Sequence, residues 1–120
     1  MSSIGPEALS TVKLVALLEK TGRKNSAPVW TACAERLRAP ARARSELNLS
    51  RLNVITKEGE TVAFPGKLLA QGDVTHSLAI GYFKASKTAL IKLKKAKCDA
   101  VPLARLAERN PQGKKVRLIL

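Results

Sequence analysis

Short apolar runs separated by turn residues dominate the middle of the chain, from Thr61 to about Tyr82. Glycine, proline and aspartate interrupt these runs, which is typical of strands joined by tight turns. The pattern predicts three strands, at Thr61–Phe64, Lys67–Ala70 and Ser77–Tyr82. It places turns at Pro65-Gly66 and at Gln71-Gly72-Asp73.

The segment Lys87–Lys95 follows Ser86 and has the period of an amphipathic helix. Ala89, Leu90 and Leu93 share one side, and lysines occupy the rest of the surface. Three strands and this helix form the most hydrophobic unit of the chain. We therefore expect the remaining segments to pack on this unit or to extend from it.

Two further helices are predicted before this unit. The first spans Ala8–Lys20 and ends at Gly22, because glycine tolerates the left-handed backbone that terminates helices. The second is capped by Ser26, carries Pro28 in its first turn and ends before Pro40. Residues 1–7 show no periodicity and are predicted to form a loose tail.

Three shorter elements complete the prediction. Asn48–Ile55 fits a short helix capped by Ser50 and closed by Gly59, although alternation would also allow a strand. A helix opened by Pro102 would turn Leu103, Leu106 and Ala107 inward. A final strand at Lys114–Leu120 would place Val116, Leu118 and Leu120 on one face.

The predicted fold class is α/β, and a chain of 120 residues is long enough for one folding unit. Residues 51–120 would form an irregular strand–strand–helix core, since this order recurs loosely toward the C-terminus. Residues 1–50 would form a basic helical and extended segment attached to it. The core is aliphatic, because aromatic residues make up only 3% of the chain.

The net charge of the chain is the strongest indication of its binding partner. The chain carries 22 Lys and Arg against nine acidic residues, a formal charge of +13. A positive field of that size attracts polyanions, of which nucleic acid is the commonest. Binding to an anionic membrane surface would require a basic amphipathic helix with bulky apolar anchors. The apolar residues of each predicted helix are explained by packing in a core, so no helix is a better candidate for membrane binding.

Candidate chemistry is sparse. No carboxylate pair or nucleophile–base pair has a catalytic spacing, so we expect neither an enzyme nor a cofactor. Cys33, Cys98 and His76 are too few and too far apart for a zinc site, and His76 is predicted to be a loop residue. Cys33 and Trp30 share a helical face with other apolar residues, which favours a buried thiol and a core indole over a base-stacking platform.

The segment Arg36–Arg44 is rich in arginine and interrupted by Pro40. It is either a solvated charged linker or an arm that follows phosphates, and the charge of the whole chain favours the arm. Arms of this kind become ordered when they bind irregularly folded RNA. The chain shows no helix-turn-helix or zinc finger of the kind that reads DNA, so RNA is the favoured partner. The residues predicted to bind RNA are Arg23, Lys24, Arg36, Arg38, Arg42, Arg44, Arg51, Lys67, Lys84, Lys87, Lys94 and Lys95.

Three groups of residues resemble one known family. They are Ala27-Pro28-Val29-Trp30 with Ala34-Glu35-Arg36-Leu37, then Glu46-Leu47-Asn48-Leu49-Ser50-Arg51-Leu52, and then Pro65-Gly66-Lys67-Leu68-Leu69 with Phe83-Lys84-Ala85-Ser86. Their order and spacing resemble the archaeal and eukaryotic large-subunit ribosomal protein eighteen-e family, a relative of bacterial large-subunit protein fifteen. The resemblance extends from about Ala8 to Leu120.

This resemblance implies a mixed α/β core with a basic N-terminal segment laid into ribosomal RNA. It also implies neighbouring ribosomal proteins as partners, a cytoplasmic ribosomal location and, from the short length, the archaeal form. Neither a membrane nor a small-molecule substrate is expected. The alternatives are a free regulator that binds RNA or DNA and, from another class, a small enzyme or metal-binding module.

Overall fold

The computed structural model describes residues 5–39 and 45–120, with side chains from residue 11 onward. Helices and strands alternate along most of this part of the chain. In chain order the elements are α1 (Gly5–Lys24), α2 (Pro28–Arg38), β1 (Glu46–Asn48), α3 (Leu49–Ile55), β2 (Thr61–Leu69), β3 (Ala79–Ala85), α4 (Lys87–Lys95), β4 (Asp99–Pro102), α5 (Leu103–Arg109) and β5 (Val116–Leu118).

The strands form one parallel sheet with β2 near its centre. On one side β2 pairs with β3, which in turn pairs with β4. On its other side β2 pairs with β5 over its first residues and with β1 over its last residues. Parallel sheets need cover on both faces, and here helices supply it. The predicted α/β fold class is confirmed.

β2 is one strand of nine residues, so the predicted break at Pro65-Gly66 is wrong. The register shifts between Phe64 and Lys67, and the backbone N–H of Lys67 donates to the carbonyl oxygen of Ser45 at 3.1 Å. A Cβ at Gly66 would lie 2.3 Å from that same oxygen. Glycine therefore allows the neighbouring chain to approach at this point, where the sequence pattern predicts a turn.

Alternate residues of β2 divide the molecule into two cores. Val62 and Phe64 belong to the core on one face of the sheet, which α3 and α4 complete. Ala63 belongs to the core on the opposite face, which α1, α2 and α5 complete. Successive side chains of a strand point to opposite faces, so this central strand positions both helical layers.

α1 is longer than predicted, because residues 5–7 and 21–24 are helical too. Gly22 lies inside the helix, where a Cβ would meet the Thr31 methyl group at 2.6 Å. The glycine thus marks the close approach of α1 and α2 and does not end the helix. Ser26 has a left-handed φ of 51° and does not cap α2, whose N-cap is Ala27. Pro28 at the start of α2 and the end of that helix before Pro40 are as predicted.

The remaining segments differ from prediction mainly at their ends. α3 confirms the short helix, but its N-cap is Asn48, and Gly59 closes a separate turn with φ at 84°. α4 and α5 match their predicted positions, with Ser86 accepting a hydrogen bond from the N–H of Ala89. Strand β5 stops at Leu118, so Leu120, which was predicted to share a strand face with Val116 and Leu118, lies beyond the strand and is 58% exposed.

Candidate nucleic-acid interface

Helix α4 separates an apolar side from a basic one. Ala89 and Leu93 are fully buried against the sheet, and at 100° per residue Lys87, Lys94 and Lys95 lie on the opposite side. All three lysines are exposed, and in the described part of the chain no carboxylate lies within ion-pair distance of them. Lysines in the last turn also complement the negative end of the helix dipole. These three predicted residues therefore form one surface with unneutralised charge.

Lys67 and Lys84 meet at the ends of two adjacent strands. They are register partners of β2 and β3, and both are exposed. The ammonium group of Lys84 also lies 5.6 Å from the centre of the Phe83 ring. Lys67 is next to Ser45, the residue at which the described chain resumes after Ala39. Ser45, the residue that follows the arginine-rich segment in the sequence, thus lies beside a pair of lysines.

Arg36 and Arg38, the first two arginines of the arginine-rich segment, lie in helix α2, in agreement with the predicted end of that helix before Pro40. Arg38 is the last residue of α2 and forms an ion pair with Glu19 of α1. Arg23 reaches the same carboxylate at 3.4 Å, although its side chain is 77% exposed. One carboxylate facing two guanidinium groups leaves a net positive charge at this end of the helix pair. Arg42 and Arg44 lie outside the described residues.

The two remaining predicted residues lie on opposite sides of the sheet. Lys24 is the exposed last residue of α1, whereas Arg51 is exposed on α3, which packs on the other face. The structure therefore does not gather the predicted residues into a single patch. It distributes them between the α1–α2 end, the strand ends beside Ser45, and the layer of α3 and α4.

Lys92 has a structural role that its sequence position did not reveal. Its ammonium group donates to the carbonyl oxygens of Ala70 at 2.9 Å and Gly72 at 2.8 Å, and lies 3.7 Å from Asp73. It fastens the loop after β2 to α4. The helical period already separates Lys92 from Lys87 and Lys94, but only the fold shows that its partners are carbonyl groups of a loop.

Besides the predicted Lys24, helix α1 carries two exposed cations that the list of predicted residues omits, Lys13 and Lys20. Leu18 and Gly22 are buried, and the helical period places Lys13, Lys20 and Lys24 on the outward side, where all three are exposed. The signal was present in the sequence, because spacings of seven and four residues keep side chains on one side of a helix. α1, however, was predicted from its apolar face alone.

The tryptophan and the two cysteines, which could in principle stack on a base or react, are buried or half-buried in the fold. Trp30 is buried and its indole N–H donates to the Asn110 carbonyl oxygen at 3.0 Å, which confirms the core assignment. Cys33 is also buried, as predicted, and burial raises the pKa of its thiol to about 12. Desolvation likewise raises the pKa of the Cys98 thiol, against a smaller lowering effect of a backbone hydrogen bond.

His76 is a loop residue, as predicted, and it contacts the end of α3. The Thr56 hydroxyl donates its proton to the carbonyl oxygen of Leu52 at 2.6 Å, so the His76 Nε2–H donates to that hydroxyl at 2.9 Å. Across residues 11–39 and 45–120, no three His, Cys, Asp or Glu side chains are grouped to bind a metal. No described helix has the length and hydropathy needed to cross a bilayer.

Comparison with known proteins identifies close relatives. No family model matches the chain. A relative from Methanopyrus kandleri is 36% identical over 120 residues, covering 96% of this chain and 94% of its own. One from Halobacterium salinarum is 37% identical over 119 residues, covering 99% of each chain. A third, from Methanoregula boonei, is 37% identical over 106 residues, covering 88% of each chain. All three are named large ribosomal subunit protein eL18. Identity at this level over nearly the full length of both partners shows that the chain belongs to the large ribosomal subunit protein eL18 family.

Proposed function

We propose that this protein is a structural constituent of the large subunit of an archaeal ribosome and binds ribosomal RNA. The observation that carries the proposal is its similarity to relatives that bear this name, over 88–99% of each chain. The exposed cations of α4 and of the strand ends supply the physical means. Ribosomal RNA and neighbouring ribosomal proteins are the proposed partners, in the cytoplasm, and the proposed role includes no catalytic step.

Binding would be driven by phosphate neutralisation. Each Lys or Arg that contacts a phosphate releases condensed counterions, so affinity falls as salt rises. Arginine adds paired hydrogen bonds to phosphate oxygens and stacking on unpaired bases, which suits the irregular surface of a folded RNA. A protein that contributes many such contacts offsets the repulsion between RNA segments and holds them in one packing.

The arginine-rich segment is proposed as a part of the RNA interface. The proposal rests on its sequence and on the described residues on either side of Arg42 and Arg44, namely Arg38 and Ser45. Its first residues, up to Arg38, form the end of α2, and Ser45, which follows its last residue in the sequence, lies beside Lys67. A basic residue therefore lies at or beside each of these two positions. We propose that Arg42 and Arg44, between them, contact phosphates together with these flanking residues.

The test is the salt dependence of RNA binding by a variant in which Arg38, Arg42 and Arg44 are replaced by Ala. Each lost phosphate contact should reduce the slope of log affinity against log salt by about 0.7 for single-stranded RNA, hence by about two units in total. The melting temperature should change little, because the Arg38–Glu19 pair is partly exposed and such pairs contribute about 0–1 kcal/mol. An unchanged slope would contradict the role of the segment.

A matched control removes the same charge elsewhere. Lys57, Lys114 and Lys115 are exposed turn residues, and changing them to Gln gives the control triple variant. It should keep most of the slope. Sedimentation then tests the ribosomal assignment: the protein should travel with large subunits at moderate salt. A protein that binds RNA but stays in the supernatant would instead be a free regulator.

A further inference from the structure

Two lysine surfaces of the chain face away from each other. The α1 outer face consists of Lys13, Lys20 and Lys24, and the α4 outer face consists of Lys87, Lys94 and Lys95. All six side chains are exposed. Within residues 11–39 and 45–120, no carboxylate lies within ion-pair distance of any of them.

The packing of the two helices shows that the sheet lies between these surfaces. α4 buries Ala89 and Leu93 in the core on one face of the sheet, together with Val62 and Phe64 of β2. α1 buries Leu18 in the core on the other face. Each outer face is the side of its helix opposite to these buried residues, so the two lysine surfaces point in opposite directions.

Their separation makes the two surfaces electrostatically independent. α1 packs mainly on α2 and also on α5, and these two helices cover the sheet. Packed helix axes are about 8–10 Å apart, so the helices and the sheet that lie between the two outer faces separate them by more than the Debye length of about 8 Å at physiological salt. An RNA segment neutralised on one face therefore leaves the charge of the other face available.

From this placement we infer that the chain binds two separate RNA segments at once, one on each side of its sheet. The inference rests on the proposed function and adds the arrangement of the partner. A stiff, straight RNA helix on the α1 outer face cannot also reach the α4 outer face. The second surface therefore serves a different segment, and the protein acts as a neutralising spacer between two RNA segments that would otherwise repel each other.

The experiment uses two short RNA hairpins of identical sequence, one with a donor dye and one with an acceptor dye. They are titrated into the full-length protein at about 150 mM salt, where surfaces beyond a Debye length are screened from each other. We expect saturation at two hairpins per chain, with energy transfer between the dyes in the ternary complex. Binding should weaken steeply as salt rises.

Two variants assign the sites. In each, the three lysines of one outer face become Gln, which is nearly as good a helix former as Lys, so the fold is expected to be retained. Each face variant should saturate at one hairpin per chain and lose energy transfer. The control triple variant loses the same charge from turn residues and should still bind two hairpins.

Several results would overturn the inference. The first is saturation of the native protein at one hairpin, or at more than two. The second is a face variant that still binds two hairpins. The third is a control variant that loses as many bound hairpins as the face variants do. A failure of the proposed function gives a different result: no salt-dependent hairpin binding by the native protein, and no sedimentation with large subunits. One hairpin per chain with normal sedimentation would reject the two-sided arrangement alone.

Discussion

The role of Lys92 can be tested by replacing it with Met, which keeps the length of the side chain and its helix propensity. The change removes an ammonium group that donates to the carbonyl oxygens of Ala70 and Gly72. It also removes the ion pair with Asp73 at 3.7 Å. The Lys92 side chain is 33% exposed, so water can reach the loop only in part.

The expected cost follows from these contacts. Hydrogen bonds to a charged group contribute about 1.5–3 kcal/mol each, and two of them set the upper bound. Ala70 and Gly72 are half-buried residues, so we expect their carbonyl groups to regain water in the variant, which brings the expected loss to about 2 kcal/mol. The pair with the exposed Asp73 adds about 0–1 kcal/mol. For a chain of this size, a loss of 2 kcal/mol lowers the melting temperature by about 8 °C.

Urea and thermal unfolding measure the loss, with Lys94→Met as the matched control. Lys94 lies on the same helix, is exposed and has no carboxylate within ion-pair distance among the described residues, so its variant should stay within about 0.5 kcal/mol of the native protein. RNA affinity should respond in the opposite order: Lys94→Met weakens it and Lys92→Met leaves it nearly unchanged well below the melting temperature. A stable Lys92→Met protein, or one that loses more RNA affinity than the control, would refute the structural role.

Three further predictions follow from other contacts. Gly22→Ala should destabilise the protein by about 1–3 kcal/mol in urea unfolding, since its Cβ would meet the Thr31 methyl group, whereas the same change in an open helix stabilises; a rise in stability would contradict the close helix contact. Maleimide should label Cys98 well before Cys33, because Cys33 is buried and the pKa of its thiol is raised to about 12; equal labelling rates would show that the core is open. A backbone hydrogen bond, with help from a nearby guanidinium, lowers the pKa of the Glu60 carboxyl below its ordinary 4.5. Its contribution to stability is therefore present above that value and lost as pH falls through the lowered pKa, and the stability difference between the native protein and Glu60→Gln should disappear there; a difference that persists in acid would contradict it.

The sequence by itself determined the elements whose signals are local. α2 and α4 have a complete apolar period and a stop or cap in their own residues, at Pro40 and Ser86. The excess of cations and the lack of a catalytic spacing were equally visible, because charge and composition do not depend on folding. The family resemblance rested on ordered groups of residues, and it too could be recognised without coordinates.

Only the tertiary structure decided the edges of the sheet. β1 and β4 contain three and four residues, too few to show a period, and their hydrogen-bond partners come from β2 and β3. The continuity of β2 through Gly66 has the same cause. A glycine that permits a turn and a glycine that admits a neighbouring carbonyl group are identical in the sequence, and the neighbour is distant along the chain.

The same limit applies to the interface. Lysine spacing placed Lys87, Lys94 and Lys95 on one side of α4, but the loop that Lys92 binds comes from residues about twenty positions earlier. Likewise, nothing local places α1 and α4 on opposite sides of the sheet. That arrangement arises because alternate side chains of β2 enter different cores, so the direction in which each cation faces depends on packing between segments far apart in the chain.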